Sequence, residues 1–466
     1  MSMGIGTLRI LTVVAIIAIA SSMVVSQTIE QPLFAFNGTV VSEGADSSSI
    51  DTTPAEDVVD TVVPADETPA VVPDGTPGEP AADVPDETPA VVPVPQHVDI
   101  TGMTEITDVT VITESGSYYI DGRTIASDSG AAIEIEDGLD VVIVVKGDCV
   151  ITSDDSDAIR VASTSKLTIQ GYDDDSTLTV EGACVSGAGS GIGNVFGTVS
   201  EIEIFGLNGL TATGNGVHAY AIGGDGATVT IRDSHIISAI GGQIQTSEGT
   251  YLGVYIGSKG KSDTEGGPGI GGADITITGS TVDLVVGGSK AAGIGARFWQ
   301  ATSITIADSV ITDVYGGAGS AGIGGSRETK NDAELQTVTI IISDSNIRAF
   351  GGENGAGIGS GYDVNCQKVQ GECHIEITGD SVIAATGGAY AAGIGTGFHQ
   401  GNLTGFIEPT VDISDVVSGE KNYQNKYSLA QDIGYGVVDS SREGKCIIDD
   451  GIQFIVDDEP VATPFA

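Results

Sequence analysis

The feature of this sequence that most constrains its fold is a short phrase in which an isoleucine stands between two glycines. From Ile270 onward these isoleucines recur at intervals of roughly 24 to 36 residues, a period typical of stacked repeats. One such repeat cannot bury its apolar side without its neighbours. The phrase therefore predicts a solenoid. It occurs at residues 191–193, 269–272, 292–295, 321–325, 356–359 and 392–395 and, with alanine in place of the first glycine, at 221–224.

Three further landmarks accompany the phrase and define one rung. A short strand is followed by a small polar pair such as Asp308-Ser309, and a second strand then ends at a glycine pair such as Gly316-Gly317. Alternation with period two marks these strands as buried on one face. The landmarks predict an all-β fold, a single-stranded parallel β-helix of about ten triangular rungs over 100–458. The longer connections, as between Ile323 and Ile340, all follow the phrase, so we expect insertions along one edge.

The N-terminal sequence predicts that the protein is exported from the cell. Arg9 precedes an apolar run that is short for a membrane span, which indicates a cleaved signal peptide at 1–26, with an uncleaved anchor as the alternative. Either way we expect a secreted or cell-surface protein. Residues 27–99 are acidic and proline-rich, which is typical of a disordered linker, and 459–466 are a C-terminal tail. Asn37 and Asn402 stand in glycosylation motifs that a eukaryotic host would use.

The net charge restricts the possible partners of the chain, and the cysteine content restricts its possible disulfide bonds. The formal net charge of -46 argues against nucleic acid and anionic membranes as partners. Cys366 and Cys373 bracket an insertion and predict a local disulfide. Cys149 and Cys184 are about one rung apart and either stack or bond, Cys446 is left over, and buried free thiols are the alternative for these three.

Acidic runs are the candidate calcium ligands, with solvated turns as the alternative. Calcium is the only cofactor considered, because the five histidines share no ligand spacing. The acidic candidates are Asp154, Asp155, Asp157, Asp173, Asp174 and Asp175.

Aromatic residues follow the phrase at a constant offset, interrupted by Arg327. Residues aligned on neighbouring rungs stack about 4.8 Å apart, so we expect a partial aromatic row at the variable edge that faces sugar rings. The alternative is packing of a corner beneath the insertions. The candidate ligand-binding residues are Phe298, Trp299, Tyr362, Phe398 and His399.

The glycines of the phrase suggest a second surface. If the isoleucines point inward, the glycines point outward and stack into a face without side chains, through which the chain would self-associate or dock a polymer. The alternative is that a tight radius demands glycine. The glycines are Gly293, Gly295, Gly322, Gly324, Gly357, Gly359, Gly393 and Gly395.

The chain resembles a family of secreted bacterial and protist proteins with Ala-Gly-Ile-Gly-Gly repeats. Residues 116–122 and 166–169 are similar to that family's opening rungs, and the resemblance covers about residues 104–440. Its members are labelled carbohydrate-binding-domain or right-handed parallel β-helix (pectate-lyase-like) proteins. The resemblance implies the fold and leaves the activity open, because one fold hosts many functions.

Taken together, these patterns predict a structural or adhesive solenoid that binds carbohydrate or extracellular matrix and catalyses no reaction. The first alternative is a polysaccharide-degrading lyase or hydrolase, which the fold alone supports. Asp154, Asp155 and Asp157 resemble the aspartates of polygalacturonase-like enzymes, but the companion motifs are missing. The second alternative is ice binding, for which outward threonines align and two residues interrupt them. The threonines are Thr230, Thr276 and Thr305, and the interruptions are Ile341 and Glu376.

Overall fold

A computed structural model describes residues 97–183, 188–194, 200–243, 245–246, 249–250, 266–295, 297, 300–327, 337–364, 373–388 and 390–400, with short strands beyond. These residues belong to one unit, Pro89–Ala466. The predicted signal peptide and almost all of the predicted linker lie outside the described residues. Within the described residues there is no helix long and apolar enough to cross a membrane.

Three sheets of stacked strands surround one core, and the chain passes from the first to the second to the third sheet in each rung. The first sheet contains Thr104–Glu105, Gly116–Asp121, Asp140–Lys146, Lys166–Gly171, Glu201–Phe205, Thr228–Arg232, Asp274–Thr278, Thr302–Ala307, Val338–Ser343, Cys373–Thr378, Thr410–Ile413, Phe454–Val456 and Glu459–Val461. Its strands are parallel except the last, which is antiparallel to the one before it.

The second sheet contains Thr124–Ser127, Asp148–Ser153, Thr177–Gly182, Gly209–Gly216, His235–Gln243, Thr281–Val286, Val310–Tyr315, Asn346–Phe350, Val382–Gly387 and Asn422–Asn425, with Ala188–Gly189 antiparallel at its side. The third contains Thr110–Ile112, Ile133–Ile135, Ile159–Val161, Ile192–Asn194, Ile222–Gly224, Ile270–Gly271, Ile294–Gly295, Ile323–Gly324, Ile358–Gly359, Ile394–Gly395 and Ile433–Gly434. Small two-stranded sheets pair Gln245–Thr246 with Gly249–Thr250 and Asp363–Val364 with His399–Gln400. The predicted parallel β-helix of about ten rungs is confirmed.

The isoleucines of the third sheet form one continuous buried column. Ile323 pairs in register with Ile294 below it and Ile358 above it, and each is fully buried. The column begins before the glycine phrase appears, at Ile133 and Ile159. Burying one such side chain contributes about 1.5 to 3 kcal/mol, so the column is a main source of stability along the solenoid.

A ladder of buried serines forms the corner between the first and second sheets. The Ser309 hydroxyl donates to the Ala307 carbonyl at 2.7 Å and accepts from the Ser280 backbone N–H at 3.2 Å. Asp308 before it has a φ of 50°, a left-handed conformation that aspartate tolerates better than most residues. These bonds explain the small polar pair of the sequence. The ladder consists of Ser234, Ser280, Ser309, Ser345 and Ser381.

The glycine phrase is a tight return of the chain. The Ala321 N–H donates to the Gly325 carbonyl at 2.8 Å, so the chain doubles back around Ile323. The glycines are buried. A Cβ added to Gly322 would lie 2.8 Å from the Gly357 carbonyl oxygen, and Gly324 has a φ of 127°. The predicted bare glycine face is therefore wrong, because the space that the missing side chains leave is filled by the next rung.

The insertions do not all follow one edge. Connections of variable length do join the third sheet to the first, as expected. The longest connection, however, joins Gln243 in the second sheet to Ile270 in the third. The expectation of a single variable edge is wrong, because this solenoid accepts insertions at more than one corner.

Candidate functional site

Tyr362 and Phe398 stack on neighbouring rungs at the edge where the third sheet returns to the first. Their ring centroids are 5.2 Å apart and their planes differ by 20°. Beyond them Asp363–Val364 pairs in parallel with His399–Gln400, which fixes the register of the two rings. For these two residues the predicted aromatic row is confirmed.

Arg327 continues this row instead of interrupting it. Its guanidinium lies 5.2 Å from the centre of the Tyr362 ring, within the range of a cation–π interaction. Its backbone N–H donates to the Ser320 hydroxyl at 2.9 Å, which places the side chain above the ring. Sequence reasoning treated the arginine as a break because it considered aromatic side chains only.

The row is packed on one side and open on the other. Phe398 is 6% exposed, Tyr362 is half-buried, and Tyr390, whose ring lies 5.4 Å from that of Phe398, is 37% exposed. The N–H of Phe398 donates to the Asn354 carbonyl at 2.8 Å. Phe398 is therefore a packing residue, which agrees with the alternative of a packed corner. We call Arg327, Tyr362, Tyr390 and Phe398 the edge cluster.

The structure does not describe the side chains of the other three predicted ligand-binding residues. Phe298 and Trp299 lie outside the described residues. His399 lies in a described strand, but its side chain is not described. Asn37 and Asn402, the predicted glycosylation sites, also lie outside the described residues.

A buried ionic cluster that sequence reasoning missed lies on the outer side of the third sheet. The Arg297 guanidinium pairs with Asp225, and the Tyr220 hydroxyl donates to the same carboxylate. Arg297 is almost fully buried and its guanidinium lies 5.9 Å from the Tyr220 ring. The cluster joins the rung of Ile222 to that of Ile294. Arg297 lies 72 residues from Asp225 in the sequence, so no local spacing signals the cluster.

The ionisable groups of this cluster are held in one state. Burial, and then the nearby Arg297, lower the pKa of His218 to about 4, so the imidazole is neutral at physiological pH. Burial and the Asp225 carboxylate raise the Tyr220 pKa well above its usual value. A neutral imidazole and a protonated phenol therefore lie beside the Arg297–Asp225 ion pair.

The candidate calcium ligands serve as turn residues. In the described part of the chain, no three His, Cys, Asp or Glu side chains gather as metal ligands would. The Asp173 carboxylate accepts from the Asp175 N–H at 3.2 Å and the Ser176 hydroxyl at 3.0 Å, whereas Asp154, Asp155 and Asp174 are exposed. These side chains therefore do not gather as three ligands within the described residues, and calcium binding stays a prediction.

Asp157 differs from its acidic neighbours. It is 7% exposed and accepts a hydrogen bond from the Ser190 N–H at 2.7 Å. Burial raises its pKa to about 6, although this bond and the Arg160 charge act in the opposite direction. Asp157 therefore holds two neighbouring rungs together.

The described cysteines are free thiols. Cys373 is buried and begins an inward-facing strand of the first sheet, where burial raises its pKa to about 12. Cys366, its predicted disulfide partner, lies outside the described residues. Cys149 is also a buried free thiol and pairs with Leu178 on the next rung. It therefore does not stack on Cys184. Cys184 and Cys446 lie outside the described residues.

The outer face of the first sheet carries a hydroxyl-rich array. Thr230, Thr276 and Thr305 form one column, which Ile341 and Glu376 interrupt, as predicted. Hydroxyl side chains also occupy the flanking columns. These are Thr228, Thr278, Ser303, Thr339, Ser343 and Thr378.

Comparison with known proteins identifies no relative. No protein-family description matches this chain, and neither a curated protein nor a solved structure is similar to it. The resemblance described above therefore rests on the repeat phrase and the opening rungs alone, and what is established is a parallel β-solenoid.

Proposed function

We propose that this chain is a secreted or cell-surface solenoid that binds carbohydrate, as free polysaccharide or in an extracellular matrix, and catalyses no reaction. The observation that carries the proposal is the edge cluster. Tyr362 and Tyr390 present open aromatic surface beside the buried Phe398, and aromatic rings pack against the apolar faces of sugars. The resemblance to carbohydrate-binding β-helix proteins supports the same ligand class.

A glycan-array measurement, with and without calcium, tests this function. We expect wild-type protein to bind neutral polysaccharide without releasing products, and the double change Tyr362→Ala and Tyr390→Ala to weaken binding. The matched control is Tyr119→Ala, which removes a half-buried ring elsewhere on the solenoid. Unchanged binding by the double variant would remove the edge cluster from the proposal. Release of oligosaccharides would favour the alternative of a polysaccharide-degrading enzyme.

Ice binding is the second candidate, and the hydroxyl-rich array favours it. Neighbouring side chains repeat at about 4.8 Å between rungs and about 6.6 Å along each strand, so the threonine and serine side chains are spaced in two directions, with interruptions at Ile341 and Glu376. Such spacings suit ordered water. We expect Thr276→Lys to abolish inhibition of ice recrystallisation if this function is present, and Thr211→Lys on the second sheet to leave it intact. Wild-type protein without inhibition would eliminate this candidate.

A further inference from the structure

The second sheet has a bulge that continues through three rungs. Three strands contain two outward-facing residues in a row between two inward-facing residues, whereas the strands on either side of them contain a single outward-facing residue there. The three strands are His235–Gln243, Thr281–Val286 and Val310–Tyr315. The register shifts where the bulge begins, after Leu210, and where it ends, after Ile311. Bulges re-aim side chains and are frequent beside functional sites. The paired outward residues are Ile237 and Ser238, Asp283 and Leu284, and Thr312 and Asp313.

Arg348 closes the bulge at its C-terminal end. Its Nε donates to the Thr312 carbonyl at 3.0 Å and to the Asp313 carboxylate at 2.6 Å. The Asp313 side chain is 14% exposed, whereas that of Arg348 is 51% exposed. The buried carboxylate therefore fixes a guanidinium whose other donors face solvent.

Two aromatic rings adjoin this ion pair. Tyr315 and Phe350 are the next outward residues on the same two strands, and their rings are stacked with centroids 4.8 Å apart and planes within 10°. Both are half-buried. Parallel ring pairs favour an offset arrangement, and half-burial leaves part of each ring accessible. The Arg348 guanidinium lies 5.9 Å from the Phe350 ring.

Exposed apolar side chains lie on the same face as the rings. Val310 begins the same strand as Tyr315 and is 44% exposed, and Ile237 is 42% exposed two rungs away. His235 Nε2 lies 2.8 Å from the Asp283 carboxylate. We call Asp313, Tyr315, Arg348 and Phe350 the second-sheet platform.

We propose that the second-sheet platform binds a neutral polysaccharide chain that runs along the solenoid axis. The rings would pack against sugar C–H groups, and the Arg348 donors would bond sugar hydroxyls. The charge favours a neutral chain: the platform's arginine is already paired, and a protein of net charge -46 repels uronates and sulfates. The axial direction follows from the stacking of the rings on neighbouring rungs. The inference rests on the proposed function for its ligand class, but it concerns a different surface.

Affinity electrophoresis of the full chain in gels that contain hydroxyethylcellulose, soluble β-1,3-glucan or polygalacturonate tests the platform. We expect wild-type protein to be retarded by at least one neutral polymer and not by polygalacturonate. Tyr315→Ala combined with Phe350→Ala should weaken the retardation roughly tenfold or more. Asn346→Ala, an exposed change on the same strand, is the matched control. Phe350→Leu removes one ring while it keeps apolar volume, in case the double variant does not fold.

The outcomes separate the two proposals. If the platform variants lose retardation and the edge-cluster variants keep it, the platform is the principal site. If the platform variants and Phe350→Leu bind like wild type while the edge-cluster variants lose binding, this inference is overturned and the proposed function stands. Retardation of wild-type protein by polygalacturonate alone overturns the neutral ligand. Wild-type protein that binds none of the polymers would end both proposals.

Discussion

The N-terminal rungs and the glycine rungs use the same position of the third sheet in opposite ways. In the N-terminal rungs the residue after the column isoleucine carries a long outward side chain, and Arg160 pairs with Glu134 across two rungs at 3.3 Å. On the next rung Gly193 pairs with Arg160 and so occupies the same position. The later described rungs also have glycine there, and where the φ of that glycine is positive it lies between 119° and 138°. The same inward-facing isoleucine is therefore compatible with two backbone arrangements on the outer side of the third sheet: an ordinary strand with outward side chains, and a tight return of the chain.

The largest effect should come from a side chain placed in a glycine rung. Gly324→Ala puts a Cβ onto the Gly359 carbonyl oxygen at a positive φ, and we expect it to lower the free energy of unfolding by about 3 kcal/mol or more. Urea denaturation measures the change. Gly130→Ala is the control, because Gly130 also has a positive φ but nothing within 4 Å of the added Cβ. Equal losses for the two variants would show that backbone conformation, and not close stacking, demands glycine.

The serine corner gives the next largest expected effect. Ser309→Ala leaves the buried Ser280 N–H without its acceptor, which should reduce the free energy of unfolding by about 2 kcal/mol. Ser303→Ala, on the outer face of the first sheet, should change it little. The same denaturation series measures both. If the two variants unfold alike, the serine ladder contributes nothing particular to the glycine rungs.

The pH dependence of the free energy of unfolding tests the role of Asp157 in the N-terminal rungs. Its pKa is about 6 in the folded chain and close to 3.8 when unfolded, so between these values the folded state binds more protons and stability falls as pH rises. Asp157→Asn mimics the protonated acid. We expect it to gain on the order of 1 kcal/mol at pH 7, less than the full shift implies because the bond from Ser190 weakens, and nothing at pH 4.

Denaturation of both proteins at pH 4 and pH 7 provides the measurement. The difference between them isolates Asp157 from the many other carboxylates, which are common to both. Glu134 and Arg160 are the charged groups that act on it from neighbouring positions. A variant that is less stable than wild type at pH 7 would contradict the argument.

The smallest effect is expected for the outer side chains of the N-terminal rungs. The Arg160–Glu134 pair is exposed by about two fifths on each side, so Arg160→Ala should cost less than about 1 kcal/mol, and less still at high salt. Denaturation at low and high ionic strength measures it. A cost as large as that of Gly324→Ala would remove the contrast between the two kinds of rung.

Sequence reasoning reached the fold because the fold follows from a short repeat. The polar pair before the second strand and the alternation within strands act over a few residues, and the isoleucines recur at a nearly constant interval. Each pattern is visible in the structure. The candidate sites were less accessible. Tyr362 and Phe398 were found through a constant offset from the phrase, whereas Tyr315 and Phe350, which precede the glycine pair, were missed.

The sequence by itself determined that this chain stacks rungs around a column of isoleucine, because periodic apolar residues have no other way to leave water. Only the tertiary structure decided what lies outside that column. Asp225 meets Arg297 across 72 residues of sequence, Cys149 meets Leu178, and the glycines face the next rung instead of solvent. The physical reason is register: connections of different length precede each strand, and only the stacking of whole rungs determines which side chains become neighbours.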